Sequence, residues 1–372
     1  MKSISIVSIG LIALGAIGCS QKSTESHETD CLRTIDIKFG DPFVLAANDG
    51  RFYMYGTSLP DGFEAYVSDD MENWEPCGQV YHGGAADQWN VDCFWAPEVY
   101  ERGGKYYMLY SANAKGNPVG RLYGESQAEA ENFQIGVAVA DNPAGPFKDL
   151  YNRPIFTAPY PVIDANVLLD DASGKQYLYF SRCCYKHPVD SEIAEHARQD
   201  GFCQEVEESW IYGVELEPDF SGIIGEPQLL LCPPTKIDDS QAEWESRSVT
   251  SREVNRRWTE GSFAFHYGNQ YYIMYSANHY GGAHYAVGYA TADNPLGPFT
   301  KAANNPVLQE NVSCGGNVMG TGHNMVLTNP KDGKLYCVYH GRTSDHPETR
   351  VVFIDPIDID PQSGVLTVGN RQ

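Results

Sequence analysis

The sequence predicts an all-β protein, a five-bladed β-propeller, and three observations support this fold. The 372 residues include 24 Tyr, 15 Phe, 36 Gly and 22 Pro, so short aromatic runs alternate with turn formers, which favours strands over helical bundles. One pattern, a strand, a Gly turn and a Tyr-rich strand, occurs five times. A second pattern, ending in Asn-Pro-x-Gly-Pro-Phe, follows two of the five copies almost unchanged. A β-sandwich, or two of them, does not explain five copies at this spacing.

Each copy of the first pattern has the alternation and the tight turn of a β-hairpin. The copies occupy residues 41–56, 95–113, 163–181, 259–278 and 322–340. An acidic residue or a histidine, which we call the anchor, stands early in each copy: Asp41, Glu98, Asp164, Glu260 and His323. The anchors are evenly spaced except across residues 182–257, where we expect insertions.

The second pattern supplies outer strands, so each hairpin extends to a four-stranded blade. It is clearest in residues 137–147 and 287–299, with looser versions in residues 64–74 and 211–220. Residues 351–359 are expected to form a closing strand that joins the end of the chain to the first blade.

The N-terminal segment is typical of an export signal. Lys2 precedes an apolar run of 15 residues, which suits a signal peptide and is short for a membrane-spanning helix. Small residues stand directly before Cys19, as in a bacterial lipobox, so Cys19 is the expected lipidation site; an ordinary secretory signal is the alternative. We expect a signal peptide over residues 1–18, a flexible tether over 19–34 and the catalytic propeller over 35–372. The protein would then be an exported lipoprotein, anchored in the membrane and periplasmic or at the cell surface.

Charge and cysteine content exclude other classes of function. With 26 Lys and Arg against 49 Asp and Glu, the formal net charge is −23, which argues against a nucleic-acid partner. No Cys-x-x-Cys pair has a second pair or a histidine partner, so a zinc site is not expected. Most cysteines fit small buried positions, and the first candidates for a disulfide are Cys183, Cys184 and Cys203.

The anchors predict a catalytic site. Innermost strands of a propeller line a central channel, so four carboxyl groups and one imidazole would converge at one mouth. Packed carboxyl groups push their pKa values apart, which keeps one protonated and another ionised near neutral pH. Glycoside hydrolysis needs such a pair, an acid for the leaving oxygen and a base for water.

In these motifs and their order, over residues 35 to about 360, the sequence resembles glycoside hydrolase family 43, propeller enzymes that act on arabinose- and xylose-containing glycans. The resemblance implies an inverting mechanism. Asp41, in Gly-Asp-Pro-Phe, matches the general base, and Glu260, in Trp-Thr-Glu-Gly, matches the general acid. Asp164 matches the third acid, which orients the general acid and tunes its pKa, although Ala165 stands where many members have Pro.

The resemblance also implies ligand-binding residues. His323, in Gly-Thr-Gly-His, faces an axial calcium ion or water in many members, so it is a candidate metal ligand and sugar contact; hydrolysis itself needs no cofactor, and a structural calcium ion in the central channel is the ion expected. Arg342 stands near the sequence position at which members of the family have an Arg that contacts the sugar. Glu98 is better explained as a structural group whose carboxyl is satisfied by its neighbours. Aromatic faces suit the C–H faces of sugars, which makes these residues candidates for stacking, Trp95 first: Trp89, Phe94, Trp95, Trp210 and Trp258.

The most specific expectation is an α-L-arabinofuranosidase, with a β-xylosidase or an endo-arabinanase of the same fold left open. A retaining fructan hydrolase would carry a longer Asn-Asp-Pro-Asn motif, and a phosphorylase would need basic phosphate ligands. A non-catalytic glycan-binding lipoprotein would have lost a catalytic position, whereas all three carboxylates are present here. The expected partners are an oligo- or polysaccharide and, through the anchor, a membrane.

Overall fold

The structure is a computed structural model that describes residues 32–116, 132–185, 191–201, 206–247 and 256–369. The predicted signal peptide, Cys19 and most of the tether lie outside these residues, as do Cys203 and the side chain of Cys184. In the described residues, twenty strands form five antiparallel sets of four, one set after another along the chain.

The strands of the first two sets are β1 (Gly40–Ala46), β2 (Phe52–Thr57), β3 (Gly62–Ser68), β4 (Glu75–His82), β5 (Trp95–Arg102), β6 (Lys105–Asn113), β7 (Phe133–Ala140) and β8 (Lys148–Asp149). Those of the third and fourth are β9 (Val162–Asp170), β10 (Lys175–Tyr185), β11 (Glu207–Leu216), β12 (Ile223–Leu231), β13 (Arg256–Tyr267), β14 (Gln270–Ala277), β15 (Ala286–Ala292) and β16 (Thr300–Lys301). The fifth set is β17 (Val318–Thr328), β18 (Leu335–Thr343), β19 (His346–Ile359) and β20 (Leu366–Val368).

The first strands of the five sets close a ring. β1 contacts β5, β5 contacts β9, β9 contacts β13, β13 contacts β17, and β17 contacts β1 again. Each set is therefore a blade whose innermost strand faces the central axis, and the prediction of a five-bladed β-propeller is confirmed.

The hydrophobic core lies between the blades. The main apolar clusters of the described residues each join the strands of neighbouring blades, for example Leu178 of blade 3 with Ile135 of blade 2. A neighbouring blade covers each face of the second strand of a blade. Its Tyr-rich sequence is therefore buried almost without alternation.

The region predicted to hold insertions contains regular blade strands as well. β11 and β12 lie within residues 182–257 and complete blade 3; the additional residues include two helices, α1 (Glu192–Gln199) and α2 (Ala242–Glu245). β11 also pairs in parallel with the start of β13, so blades 3 and 4 share one continuous sheet. None of the described helices is long and apolar enough to cross a membrane.

The prediction that residues 351–359 form a closing strand on the first blade is wrong. Residues 351–359 belong to β19, which pairs with β18 and β20 inside blade 5. The first and last blades meet instead through contact between β1 and β17, and through the backbone N–H of Val352, which donates to the carbonyl of Ile37 at 3.3 Å.

Candidate active site

Every innermost strand is interrupted by a β-bulge at the mouth of the channel. At each bulge one residue has a positive φ: Asp41 (53°), Ala96 (48°), Asp164 (60°), Gly261 (56°) and His323 (47°). Non-glycine residues rarely adopt this conformation, and it clusters at functional sites. Three anchors lie at the bulge positions, whereas Glu98 stands two residues after its bulge residue and Glu260 one residue before.

The bulge residues share a pattern of hydrogen bonds between blades. In four blades, the backbone N–H of the bulge residue donates to a side chain of the second strand in the preceding blade. The pairs are Asp41 to His340 Nδ1 (3.1 Å), Ala96 to Thr57 Oγ1 (2.9 Å), Asp164 to Ser111 Oγ (3.0 Å) and His323 to Ser276 Oγ (2.7 Å). In blade 4 the N–H of Gly261 donates to Asp164 Oδ2 at 3.1 Å. These bonds turn the bulge residues into the channel and fix the blades to one another.

Asp41 lies among donors that favour its ionised form. Thr57 Oγ1 donates to Oδ2 at 2.7 Å, and Arg350 Nη1 lies 3.0 Å from Oδ1. Burial by itself raises the pKa of Asp41, but the Arg350 guanidinium, with smaller contributions that include His323 and the Thr57 hydroxyl, outweighs it and holds that pKa well below its usual range. Gly40 makes this arrangement possible, because a Cβ there would lie 2.0 Å from Cζ of Arg350.

Glu260 lies in the opposite environment. Its side chain is buried, and its one described donor is the hydroxyl of Tyr285, which donates to Oε1 at 3.0 Å. Burial and the nearby carboxyl of Asp164 raise the pKa of Glu260 well above its usual value. Room for Tyr285 comes from Gly322, whose Cβ would lie 2.0 Å from the Tyr285 ring.

Asp164 connects the two sides of the site. Its Oδ2 accepts hydrogen bonds from Ser181 Oγ at 3.2 Å and from the N–H of Gly261, the residue that follows Glu260. Burial, with a smaller contribution from the charge of Asp41, raises the pKa of Asp164. The third acid is thus bonded to the backbone that carries Glu260.

The three carboxyl groups line one cavity of about 360 Å³. Trp95, Trp258 and His323 line it too, and Trp95 stacks on Phe133 with ring centroids 4.4 Å apart. Arg342 is not among the lining residues; it is buried, and Nη1 donates to the carbonyl of Tyr280 at 2.7 Å. The cavity wall includes further residues that sequence reasoning missed: Phe133, Glu207, Tyr280, Tyr285 and Arg350.

The remaining candidates lie away from the cavity. Glu98 is buried and accepts hydrogen bonds from Tyr100 and from Asn166 Nδ2 (3.0 Å); burial raises its pKa to about 8. Its side chain is thus a structural group, as expected. Phe94 and Trp89 pack into the core rather than facing a sugar, and the indole of Trp210 donates to Glu208 at 2.8 Å.

The donor set does not fit the expected calcium ion. Within the described residues, no group of three or more His, Cys, Asp or Glu side chains could hold a metal ion. Calcium takes about six to eight oxygen ligands, whereas the imidazole of His323 offers nitrogen and its Nδ1 lies 3.3 Å from Asp41 Oδ1.

A propeller with one carboxyl held ionised and two with raised pKa values, beside aromatic rings in one cavity, has the features of a glycoside hydrolase. The sequence profile of glycosyl hydrolases family 43 matches residues 34–363. The chain belongs to this family, and it is a glycosidase acting on glycans that contain arabinose or xylose.

Individual relatives agree with this assignment. A β-D-galactofuranosidase of Aspergillus niger is 25% identical over 344 residues, which cover 89% of this chain and 82% of the relative. A xylosidase/arabinosidase of Bacteroides ovatus is 27% identical over 280 residues, which cover 68% and 73% of the two chains. The crystal structure of a thermostable family-43 glycoside hydrolase has a TM-score of 0.72 at 30% identity and covers 90% of this chain and 93% of its own.

Proposed function

We propose that the protein is an inverting α-L-arabinofuranosidase in which Asp41 is the general base and Glu260 the general acid. The observation that supports these two roles is that the pKa values of the two carboxyl groups are shifted in opposite directions within one cavity. The pKa of Asp41 is held low by Arg350 and Thr57, and the pKa of Glu260 is raised by burial and Asp164. Near neutral pH one carboxyl therefore accepts a proton while the other donates one.

The reaction follows from these protonation states. Glu260 donates its proton to the glycosidic oxygen as the bond from that oxygen to the anomeric carbon breaks. Asp41 takes a proton from a water molecule, whose oxygen forms the new bond to the anomeric carbon from the opposite face. Asp164 holds the backbone of Gly261, next to Glu260, and keeps the acid directed into the cavity. After product release, the proton on Asp41 is lost to solvent and Glu260 is reprotonated.

The choice of sugar rests on the relatives and on the cavity. One relative is named as a β-D-galactofuranosidase and another as a xylosidase/arabinosidase. The furanose rings of β-D-galactose and α-L-arabinose have the same ring configuration, so arabinofuranose is the sugar that connects the two names. Trp95, Phe133 and Trp258 give the cavity aromatic surface for the C–H groups of such a ring.

Substitution of the two carboxyl groups tests the roles. We expect Asp41→Asn and Glu260→Gln each to lower kcat on 4-nitrophenyl α-L-arabinofuranoside by about 10² to 10⁴-fold, with an unchanged circular dichroism spectrum. The exposed carboxylate of Glu226 provides the matched control, Glu226→Gln, which should keep full activity. NMR of the first-formed product tests inversion; a retained anomer would reject Asp41 as the base.

A substrate panel tests the sugar. The arabinofuranoside should be hydrolysed faster than 4-nitrophenyl β-D-xylopyranoside, 4-nitrophenyl β-D-galactofuranoside and linear arabinan. A preference for the xyloside would indicate a β-xylosidase, and a preference for arabinan with oligosaccharide products an endo-arabinanase. Binding of arabinan without hydrolysis of any substrate would indicate a glycan-binding lipoprotein.

We also propose that the enzyme acts while anchored in a membrane through lipidated Cys19. The support is the apolar run with small residues before that cysteine. The wild-type protein expressed in a bacterial host should incorporate radiolabelled palmitate and partition into detergent, and Cys19→Ser should do neither. Release of an unlabelled wild-type protein into the aqueous phase would favour an ordinary secretory signal.

A further inference from the structure

His340 differs from the residues that perform its task in the other blades. In three other blades this task falls to a hydroxyl group near the end of the second strand, that of Thr57, Ser111 or Ser276, whereas in blade 4 the N–H of Gly261 donates to Asp164 instead. His340 Nδ1 accepts the N–H of Asp41, so the proton of the neutral ring lies on Nε2. Burial lowers the pKa of His340 well below its usual value, and the ring is uncharged. The distance of 3.4 Å between Nδ1 and Asp41 Oδ1 is therefore a contact and not an ion pair.

The imidazole carries a cost that a serine would not. His340 is fully buried, and its Nε2 has no hydrogen-bond partner in the described part of the chain. A buried donor without a partner typically costs a protein about 1–3 kcal/mol. A hydroxyl would accept the same N–H without leaving a ring nitrogen unpaired, so the ring has a second task.

That task is found on the face of the ring. Tyr285 stacks on His340, with centroids 5.7 Å apart and planes 16° from parallel. The hydroxyl of Tyr285 donates to Glu260 Oε1 at 3.0 Å. The N–H of Asp41, the ring of His340, the ring of Tyr285 and the carboxyl of Glu260 thus form one continuous path across the cavity.

We propose that His340 and Tyr285 are a pair of positioning residues that holds the base and the acid in register, His340 through the backbone of Asp41 and Tyr285 through the carboxyl of Glu260. The inference rests on the proposed roles of Asp41 and Glu260. Neither residue of the pair takes up or releases a proton; each fixes the group that does.

The charged groups around the pair define what its loss would change. His340 is faced by Asp41, His323, Arg342 and Arg350, and Tyr285 by Asp41, Asp164 and Glu260. Without an acceptor at position 340, the N–H of Asp41 loses its partner and the bulge relaxes. The Asp41 carboxylate then moves off Arg350 and Thr57, and its pKa rises towards the ordinary value.

Three variants separate the parts of the pair. His340→Phe keeps a ring and removes the acceptor, and His340→Ser introduces a hydroxyl like those of the other blades and removes the ring. Tyr285→Phe keeps the stacked ring and removes the hydroxyl that donates to Glu260 and also contacts Ser276. The measurements are the pH profile of kcat/KM and the dependence of rate on the leaving group. A poor leaving group needs the acid, whereas 2,4-dinitrophenolate leaves without a proton.

We expect His340→Phe to move the acid limb of kcat/KM upward by about one pH unit or more, with losses similar for all leaving groups. Tyr285→Phe should lower the rate on methyl α-L-arabinofuranoside by about tenfold or more and on the dinitrophenyl glycoside much less. His340→Ser should keep the wild-type acid limb and show the leaving-group dependence of Tyr285→Phe. Tyr289→Phe is the control, since this buried Tyr bonds to Asn304, away from the cavity.

An acid limb that does not move in His340→Phe, in an active wild-type background, overturns the pair and leaves the proposed function intact. So does an equal loss on all leaving groups in Tyr285→Phe. If His340→Phe does not fold, His340→Ala removes the same acceptor without overpacking and gives the same test. A wild type that hydrolyses none of these glycosides, or a Glu260→Gln variant without leaving-group dependence, overturns the proposed function and this inference with it.

Discussion

Arg350 is the residue on which the ionised state of Asp41 depends. It lies 3.0 Å from Asp41 Oδ1 and reaches it across Gly40. We expect Arg350→Met to raise the pKa of Asp41, so that the acid limb of kcat/KM moves to higher pH by about one to two units. The direction follows because the proposed base, Asp41, must be ionised, and removal of a positive charge favours its protonated form.

Arg342→Met is the matched control for this prediction. Its guanidinium is also buried, but it bonds to the carbonyl of Tyr280 rather than to Asp41. It should lower the free energy of unfolding and move the acid limb less than Arg350→Met does, because the charge of Arg342 acts on Asp41 from a greater distance than that of Arg350. Equal shifts of the limb in the two variants would contradict the assignment of Arg350.

Glu98 makes the stability of the protein depend on pH. Its pKa is raised to about 8 by burial, so the folded state binds a proton that the unfolded state releases above its ordinary pKa. The stabilisation from the protonated form is complete below the unfolded pKa and is lost as the pH rises through about 8. Glu98→Gln should therefore gain on the order of 2–4 kcal/mol over wild type at pH 8.5 and be close to neutral at pH 4.

Urea unfolding of both proteins at the two pH values measures this difference. The isosteric amide suits the site, because Tyr100 and Asn166 both donate to Oε2 and leave Oε1 for the proton. A Gln variant with the same pH dependence as wild type would show that another group is responsible.

The acids could be predicted from sequence, whereas the residues that tune them could not. Asp41, Asp164 and Glu260 each stand in a repeated hairpin, and repetition marks them. Arg350 and Tyr285 lie outside the repeated motifs and reach the cavity only because the ring folds them onto it. The sequence motif points to Arg342 rather than to Arg350 as the arginine of the site, but Arg342 is buried beside the cavity and does not line it.

At the scale of the element, the bulges explain why the anchors are not equivalent. Period-2 alternation predicts which strand is innermost, but it does not show where an extra residue interrupts the pairing. Ala96 and Gly261 occupy the positions that Asp41 and Asp164 hold in their blades. Glu98 therefore points into a hydrogen-bonded interior. Of the four anchor carboxyl groups that were expected to meet at the channel mouth, only three line the cavity: Asp41, Asp164 and Glu260.

Ser111 tests the hydrogen bonds between blades. It accepts the N–H of Asp164, and both residues are buried. Ser111→Ala should lower the free energy of unfolding by about 1–3 kcal/mol, because the N–H is left without a partner. It should also lower kcat, since Asp164 holds the backbone next to Glu260.

Ser111→Thr is the matched variant, because blade 1 uses Thr57 for the same bond. It should retain most of the stability and activity in chemical denaturation and arabinofuranoside assays. If Ala and Thr had the same effect, the hydroxyl would not be what holds Asp164.

The whole molecule is a ring whose number of blades, but not its closure, could be predicted from sequence. Five repeats predict five blades because each hairpin must bury both of its faces against neighbours. The sequence pattern places the strand over residues 351–359 against the wrong blade, because outer strands carry little sequence that distinguishes one blade from another. The parallel pairing of β11 with β13 was also not predictable, since residues distant along the chain form it.

The junction of blades 3 and 4 contains a buried ion pair that we expect to control the stability of the ring. Arg257 Nη1 lies 2.6 Å from Glu208 Oε1, and both side chains are inaccessible to solvent. Arg257 also donates to Ser191, Ser246 and the carbonyl of Pro234, so it ties the segments that contain α1 and α2 to the shared sheet. Burial raises the pKa of Glu208 and lowers that of Arg257, and the attraction between the two charges opposes both shifts.

Removing one partner should therefore cost more than removing both. We expect Arg257→Met to lower the free energy of unfolding by about 3–5 kcal/mol, because it leaves the Glu208 carboxylate buried and unpaired. The double variant Arg257→Met/Glu208→Gln should regain part of that loss, since the unpaired Glu208 carboxylate is removed as well. Urea denaturation of the two single variants and the double variant gives the coupling energy. Strictly additive losses would mean that the hydrogen bonds of Arg257 to the inserted segments, and not the ion pair, join blades 3 and 4.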